Sequence, residues 1–125
     1  MTERPPMKAI NLDEKFALIT EYFTPKIIAE HNGHYVKITK IKGEFVWHDH
    51  ENEDELFIVL KGRLVIQFRD GDVVLNPGEL FVIPRGKEHC PIAEEETHIL
   101  YIEPAGTKHS GEVDAELTKH ELEWI

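Results

Sequence analysis

The sequence predicts an all-β protein, folded as an antiparallel sandwich or barrel and preceded by one short helix. Two observations predict this class. Short apolar runs typical of strands follow one another through most of the chain after Thr24, and turns rich in Gly, Asn, Asp and Pro separate them at regular intervals. Only one segment, near the N terminus, has the periodicity of a helix. A chain of 125 residues is long enough to bury one hydrophobic core, so we expect a single domain.

The helix is predicted between Asn11 and Ile19, in "NLDEKFALI". An Asn or Asp can cap its N terminus, and acidic residues occupy its first turn, where the helix dipole favours negative charge. Leu12, Phe16 and Ile19 recur at the spacing of one helix face. Residues 1–24 are therefore assigned to a loose N-terminal arm and this short helix.

Residues 25–104 are assigned to the barrel. "KIIAE" and "YVKITKI" flank "HNGH", whose Asn32-Gly33 dipeptide is typical of a hairpin turn. "LFIVL" and "RLVIQF" lie on either side of Lys61-Gly62, and "RDGD" leads into "VVL". "LFVI" lies between the turns "NPGE" and "PRGK", and "THILYIE" ends the series. We interpret the acidic run Glu94 to Glu96 as a solvated turn. Residues 105–125 form a C-terminal loop and an edge segment, because "KHELEWI" alternates apolar and acidic side chains.

The charge of the chain limits its partners. Asp and Glu number 24 against 14 Lys and Arg, which gives a formal net charge of −10. Nucleic acids and anionic membranes would repel such a chain at long range, so neither is an expected partner. The first residues lack the apolar core of a signal peptide, and no window resembles a membrane span, so we expect a cytoplasmic location. The single cysteine, Cys90, cannot form an internal disulfide and is interpreted as a packing residue.

Four residues are candidate metal ligands. His48 and His50 are two positions apart, so on a strand both imidazoles face the same side. Glu55 can add a carboxylate oxygen after the acidic "ENED" turn, and His89 can add a third imidazole after "PRGKE". This set leaves one or two positions open on a metal with five or six ligands, as in a reactive site. Taken alone, a His-x-His pair is more often a surface or core feature, and Glu55 lies in an acidic run.

These residues resemble the two signature motifs of the cupin superfamily. The first motif appears as Gly43, four residues, His48-x-His50, four residues, Glu55, six residues and Gly62. The second appears as Gly78, five residues, Pro84-x-Gly86, two residues and His89. The first gap is one residue shorter than the usual pattern, and Ala93 stands where many cupins have Asn. The shorter gap affects a loop only, whereas Ala93 removes a hydrogen bond that could orient a ligand.

The chain is therefore similar to a small single-domain cupin with the type-2 conserved barrel. The resemblance implies a double-stranded β-helix, a jelly-roll barrel that follows the short helix. It implies that His48, His50, Glu55 and His89 bind one divalent transition metal per chain, which could be Fe, Mn, Ni, Co, Cu or Zn. In this interpretation the apolar run after Glu55 lines the barrel and Gly62 turns the chain back. Gly62, Gly71 and Gly78 lie where turns require positive φ.

Alternation from the ligands suggests which side chains line a pocket. It turns Phe57 and Val59 inward with Glu55, and turns Trp47 away from the metal, toward the core or a dimer interface. The substrate-pocket candidates are Phe57, Gln67, Phe81, His98 and Tyr101. A loop containing Thr107, His109 and Ser110 could cover the pocket mouth, although a plain surface connection is the simpler interpretation.

Three functional classes are compatible with these features. The first is a metal-dependent enzyme acting on a small oxygen-containing metabolite, since small cupins include dioxygenases, isomerases or epimerases, and lyases. Similar chains are sometimes labelled as relatives of mannose-6-phosphate isomerase, but one fold hosts many chemistries. The second is a non-enzymatic module that binds or senses a small molecule, and the third is a purely structural barrel. An inward basic or proton-transferring residue would favour an enzyme, with Arg63, Arg69 and Arg85 as candidates. A homodimer is also expected, because open sheet edges need cover, and both the segment from Phe16 to Ile28 and the C-terminal "ELEWI" could supply apolar surface for it.

Overall fold

A computed structural model describes residues 7–105 and 122–125 of the chain. The secondary structure in these ranges is almost entirely β, as the sequence predicts. The elements are α1 (Leu12–Ala17), β1 (Lys26–His31), β2 (His34–Glu44), β3 (Glu55–Lys61), β4 (Leu64–Phe68), β5 (Gly71–Leu75), β6 (Leu80–Ile83), β7 (His89–Pro104) and β8 (Glu123–Trp124).

The long strand β7 organises the sheet. Along one edge it pairs with β2, and along the other it pairs with β4 near its start and with β3 near its end. The strand order is β5-β4-β7-β2-β1-β8, and β3 also pairs with β6. All of these pairs are antiparallel except β1 with β8. The arrangement is the jelly-roll form predicted from the sequence.

The segment at Gly62 joins two strands that run in the same direction. Both β3 and β4 are antiparallel to β7, and β4 continues along β7 where β3 ends. The expectation that Gly62 turns the chain back is therefore wrong. Gly62 has a φ of +87°, and a Cβ at this position would lie 2.5 Å from Thr97 Oγ1. The glycine lets the kink between the two strands pack directly against β7.

The acidic run lies within β7 and is not a turn. On β7, the three residues Glu94–Glu96 separate Ala93 from Thr97. On β2, the partners of these two residues are separated by Lys42 alone. Such a bulge bends its strand locally, and the three carboxylates remain exposed or half-exposed. The Thr97 hydroxyl beyond the bulge accepts a hydrogen bond of 3.1 Å from the Arg63 backbone N–H. The bend and this bond accompany the transfer of β7 pairing from β4 to β3.

Two apolar clusters lie on opposite sides of the central strands. The inner cluster fills the barrel with the buried side chains of Ile41, Phe57, Val59, Leu64, Ile66, Phe68, Leu75, Ile83, Ala93, Ile99 and Tyr101. The second cluster lies beneath α1, where Phe16 and Ile19 pack against Ile28 and Ile38. The Asn11 side chain caps this helix by accepting a 2.9 Å hydrogen bond from the Glu14 N–H, which confirms the predicted helix start.

Two local predictions at the sheet edge are also confirmed. Asn32 and Gly33 both have positive φ, +51° and +77°, as a tight hairpin between β1 and β2 requires. β8 adds the predicted edge strand and lies parallel to β1. Within the described ranges, no helix is long and apolar enough to cross a membrane.

Candidate metal centre

The four candidate ligands come from three parts of the chain and meet inside the barrel. Each of them is at most 3% exposed. His48 and His50 precede β3, Glu55 is the first residue of β3, and His89 is the first residue of β7. One ligand-type atom from each residue lies within 4.8 Å of those of the other three. The fold therefore assembles the set that the two sequence motifs predicted.

His48 and His50 lie in an extended connection and not on a regular strand. His48 forms an isolated bridge to His89, with backbone N–H···O distances of 3.0 and 2.9 Å in the two directions. The His48 and His50 rings nevertheless lie 5.2 Å apart, edge to face. The expectation of a common strand is corrected, because local extension together with one bridge is sufficient to direct both rings to the same place.

Backbone carbonyls orient two of the imidazoles. His48 Nδ1 lies 2.8 Å from the Val46 carbonyl oxygen, and His89 Nδ1 lies 2.8 Å from that of Lys87. In the neutral ring each Nδ1 donates its hydrogen to the carbonyl, so Nε2 keeps its lone pair for a metal.

The Glu55 carboxylate lies between the rings of His50 and His89. Its Oε2 is 3.0 Å from His50 Nε2 and its Oε1 is 3.4 Å from His89 Nε2. Among the described residues, buried atoms without a well-oriented hydrogen-bond partner include both ring nitrogens of His50, Glu55 Oε1 and His89 Nε2. Buried polar atoms are rarely left in this state, and a bound ion is one physical reason for it.

Burial and neighbouring charges shift the pKa values of three of the four candidate ligands. Burial and the adjacent His89 lower the pKa of His48 to about 4. Burial alone would lower the pKa of His50, but the Glu55 carboxylate outweighs that effect and raises it. Burial alone would raise the pKa of Glu55, but the hydrogen bonds from His50 and His89 outweigh it and hold the pKa far below its usual range. The site thus favours positive charge beside Glu55.

The residues fit one divalent transition metal. Three imidazoles and a carboxylate form a mixed nitrogen and oxygen donor set that suits Fe, Mn, Co, Ni, Cu and Zn alike, so the donor set does not select one metal. Four protein ligands leave room for one or two further ligands on a metal with five or six positions.

A cavity adjoins two of these ligands. The volume of this cavity is about 50 Å³, which is enough for a few water molecules. Its walls combine His48 and Glu55 with Thr39, Tyr101 and the apolar side chains of Phe23, Pro25, Ile41, Phe45, Phe57, Pro91 and Ile99. A molecule in this cavity would therefore lie beside the candidate metal centre in a largely apolar environment.

Comparison with known proteins identifies the family. The family model of the cupin domain matches residues 35–103, which is more than half of the chain and includes all four candidate ligands. The chain belongs to the cupin domain family. The fold and the resemblance expected from the sequence are thereby confirmed.

Similar proteins cover different shares of this cupin. The uncharacterised protein YdbB of Bacillus subtilis (strain 168) is 44% identical over 63 residues, which are 50% of this chain and 56% of YdbB. The alignment thus spans little more than half of that relative. A crystal structure of a cupin-2 domain containing protein from Shewanella frigidimarina NCIMB 400 is 49% identical, covers 76% of this chain and 93% of its own, and gives a TM-score of 0.75. The protein NMB1881 from Neisseria meningitidis is 30% identical with a TM-score of 0.72, and the alignment covers 78% of this chain and all of that one.

The five pocket candidates of the cupin divide into two groups. Phe57 and Tyr101 line the cavity, whereas Gln67, Phe81 and His98 do not. Gln67 donates a 3.0 Å hydrogen bond to Glu44, and Phe81 packs at the margin of the inner cluster. His98 lies on the outer face of β7, because successive side chains alternate and its neighbours Thr97 and Ile99 point inward.

Several other residues of the cupin lie away from the cavity. Arg63, Arg69 and Arg85 are exposed, and the Arg69 guanidinium stacks 3.6 Å above the centre of the Trp47 ring. Cys90 is fully buried, and burial raises the pKa of its thiol to about 11, which suits a packing residue. The predicted covering loop with Thr107, His109 and Ser110 lies outside the described residues.

Two charged residues inside the cupin were missed in the sequence. Lys37 on β2 and Glu103 on β7 are each 1% exposed and form an ion pair of 2.8 Å. Burial and the charge of Glu55 raise the pKa of Glu103 to about 8. The alternation of side chains along the strands could have revealed them. Lys37 faces the same side of its strand as Ile41, and Glu103 faces the same side as Tyr101. A charged side chain at an inward position of a strand is unusual.

Proposed function

We propose that this cupin is a metal-dependent enzyme that acts on a small, uncharged metabolite with an apolar body and an oxygen-containing group. The observation that carries the proposal is the cavity beside His48 and Glu55. Its apolar walls would hold the body of the metabolite, and the adjacent metal would receive its oxygen. Thr39 and Tyr101 supply hydroxyl groups at the same cavity for orienting such a molecule.

The walls of the cavity favour an uncharged molecule. No Lys or Arg side chain is among the described residues that line it. A phosphate group enclosed there would lose its hydration without gaining a cation other than the metal, and this is costly. A sugar phosphate is therefore a poor candidate, and the mannose-6-phosphate isomerase label receives no support from this cavity.

Among the reaction classes open to a cupin, dioxygenation agrees best with the cavity. Isomerases and lyases need a group that moves a proton at carbon. Apart from the candidate ligands, Tyr101 is the only titratable residue in the described lining, and burial raises its pKa well above the ordinary value, which makes it a weak acid at neutral pH. A bound transition metal would act as a Lewis acid toward a substrate oxygen and, if redox-active, would also activate O₂.

A non-enzymatic binding or sensing module is the second candidate. The same scarcity of proton-transferring groups favours it, because binding needs only the apolar walls and one open metal position. The two candidates make different predictions about whether the bound molecule is changed.

Oxygen consumption and product analysis separate the candidates. Protein stripped of metal would be loaded anaerobically with Fe(II), Mn(II) or Zn(II). It would then be screened by thermal shift against neutral diketones and enols of a few heavy atoms, since a ligand that binds the folded state raises its melting temperature. Each compound that binds would then be tested for O₂ uptake with the iron-loaded protein. It would also be tested for anaerobic conversion with the manganese- or zinc-loaded protein.

We expect O₂ uptake with the iron-loaded wild-type protein and none with His50→Ala. The matched control is His31→Ala, which changes an exposed histidine at the end of β1. Anaerobic conversion would replace the dioxygenase by an isomerase or lyase. Recovery of the bound compound unchanged under both conditions would reject the enzyme and leave the binding module.

A further inference from the structure

The barrel contains a buried ion pair that neither the metal ligands nor the cavity accounts for. Lys37 Nζ and Glu103 Oε1 are 2.8 Å apart, and both side chains are at most 1% exposed. Lys37 Nζ also lies 5.8 Å from the centre of the Tyr101 ring. Neither charged residue lines the cavity.

Removing two charges from water is costly, and a buried ion pair is often no better for stability than two apolar side chains of similar size. A barrel with a complete apolar core does not need such a pair. Its presence at this place therefore calls for a role other than packing.

The position of Glu103 suggests that role. The register of β3 against β7 pairs Phe57 with Tyr101 and Leu56 with Ile102, so Glu103 lies opposite Glu55, the only carboxylate among the candidate ligands, and both side chains are buried. One oxygen of Glu103 is held by Lys37, and the other, Oε2, is buried without a hydrogen-bond partner among the described residues. Glu55 thus contacts His50 and His89 and lies opposite a carboxyl group that Lys37 anchors.

We infer that the Lys37–Glu103 pair positions Glu55 for metal binding. Lys37 holds Glu103 in one place, and Glu103 in turn restricts where the Glu55 carboxyl group can lie. A ligand held in its binding geometry before the metal arrives loses less conformational freedom on binding, and outer groups of this kind typically contribute about 10- to 100-fold to metal affinity. Glu103 is therefore a positioning residue and not a metal ligand. The inference rests on the metal-binding part of the proposed function and not on any reaction.

Two double variants test the inference. Lys37→Met with Glu103→Leu replaces the pair by apolar side chains of similar volume and leaves no buried charge unpaired. Lys37→Met with Glu103→Gln also removes both charges, but the amide N–H can still contact the Glu55 carboxylate. Lys26→Met with Glu123→Gln is the matched control, because it removes a 2.6 Å ion pair at the sheet edge, away from the metal centre.

The measurements are the dissociation constant for Mn²⁺ or Ni²⁺ by calorimetry and the visible absorption spectrum of the Co²⁺-loaded protein. We expect the Leu variant to bind metal about 10- to 100-fold more weakly than wild type, with an altered Co²⁺ spectrum. The Gln variant should recover most of this affinity, and the control should match wild type.

Wild-type affinity and spectrum in the Leu variant would overturn the inference while leaving the metal site intact. Equal losses in the Leu and Gln variants would also overturn it, because they would assign the effect to lost charge instead of contact with Glu55. If the Leu variant shows no folding transition, the metal affinity of the Gln variant is compared with that of the control alone. Metal binding more than about tenfold weaker in the Gln variant would contradict a retained contact between residue 103 and Glu55. Absence of metal binding by wild type would reject the metal site itself.

Discussion

Backbone carbonyls decide which nitrogen of two imidazoles is available at the metal centre. His48 and His89 each direct Nδ1 to a carbonyl oxygen two residues earlier in the chain, at 2.8 Å in both cases. His50 has no such partner, and its nearest polar neighbour is the Glu55 carboxylate. The three imidazoles are therefore not equivalent, because among the described residues both ring nitrogens of His50 lack a well-oriented hydrogen-bond partner.

Loss of His50 should remove most of the metal. We expect His50→Ala to retain less than about a tenth of the wild-type metal content, because three remaining ligands leave Glu55 poorly positioned. Elemental analysis of protein purified without added metal measures this directly. His31→Ala should leave the occupancy unchanged. Equal metal content in wild type and His50→Ala would contradict the assignment of the site.

Acid should destabilise the metal-free protein through His48. In the unfolded chain this imidazole takes up a proton near pH 6.5, whereas in the fold its pKa is lowered to about 4 by burial and by His89. Between these values the unfolded state binds more protons, so the free energy of unfolding falls as the pH falls. The loss reaches about 3 kcal/mol near pH 4.

Glu103 acts in the opposite direction, so a variant is needed to isolate the effect of His48. The pKa of Glu103 is raised to about 8, and the folded state therefore gains stability as the pH falls from 8 toward 4.5. Urea unfolding in the presence of a chelator would compare wild type with His48→Gln from pH 7 to pH 4. Wild type should lose up to about 3 kcal/mol more than the variant over this range. Parallel curves would show that His48 is not held neutral.

At the level of elements, β7 contributes to both the candidate metal centre and the buried ion pair. Its first residue is a candidate metal ligand, its middle is the acidic bulge, and its last third presents Ile99, Tyr101 and Glu103 to the interior. The bulge at Glu94–Glu96 lets one strand pair with β4 and then with β3. The metal centre and the buried ion pair thus depend on the register of a single strand.

Gly62 should tolerate substitution less well than other turn glycines. Gly62 and Gly78 have the same φ of +87°, but only at Gly62 would a Cβ meet neighbouring atoms, with the Glu96 carbonyl oxygen at 2.7 Å. Gly78→Ala should cost about 1 kcal/mol for the backbone conformation alone, and Gly62→Ala about 3 kcal/mol because β3 must also move away from β7. Chemical denaturation measures both. Similar losses in the two variants would mean that the close approach is unimportant.

Across the whole molecule, the exposed apolar side chains lie partly in the expected segment 16–28, at Leu18 and Tyr22, and partly on β6. Phe16, Ile19 and Ile28 are buried under α1, and Trp124 contacts Tyr35 within the same chain, so these residues provide little free surface for a partner. On β6, which pairs only with β3 among the described residues, the exposed apolar side chains are Leu80 and Val82. The two residues are two positions apart and face the same way.

We therefore propose that the chain forms a homodimer through β6, whose exposed Leu80 and Val82 supply the apolar contact. Light scattering at micromolar concentration should give twice the chain mass of 14.5 kDa for wild type. Changing Leu80 and Val82 to Lys should give the monomer mass, since like charges would meet across a symmetric edge. A monomeric wild type would reject the dimer, and a dimeric double variant would place the interface elsewhere. The cytoplasmic location also stays a prediction.

Sequence alone determined the features that depend on local spacing. The features that follow from residues close together in the chain, or from the spacing within the two motifs, are the strand series, the Asn32-Gly33 hairpin, the helix cap and the four candidate ligands. Tertiary structure decided what depends on pairing between distant strands. The path past Gly62, the outward position of His98 and the meeting of Lys37 with Glu103 are set by the registers of β2, β3 and β4 against β7. These registers link residues between 21 and 70 positions apart in the chain, and local spacing carries no information about them.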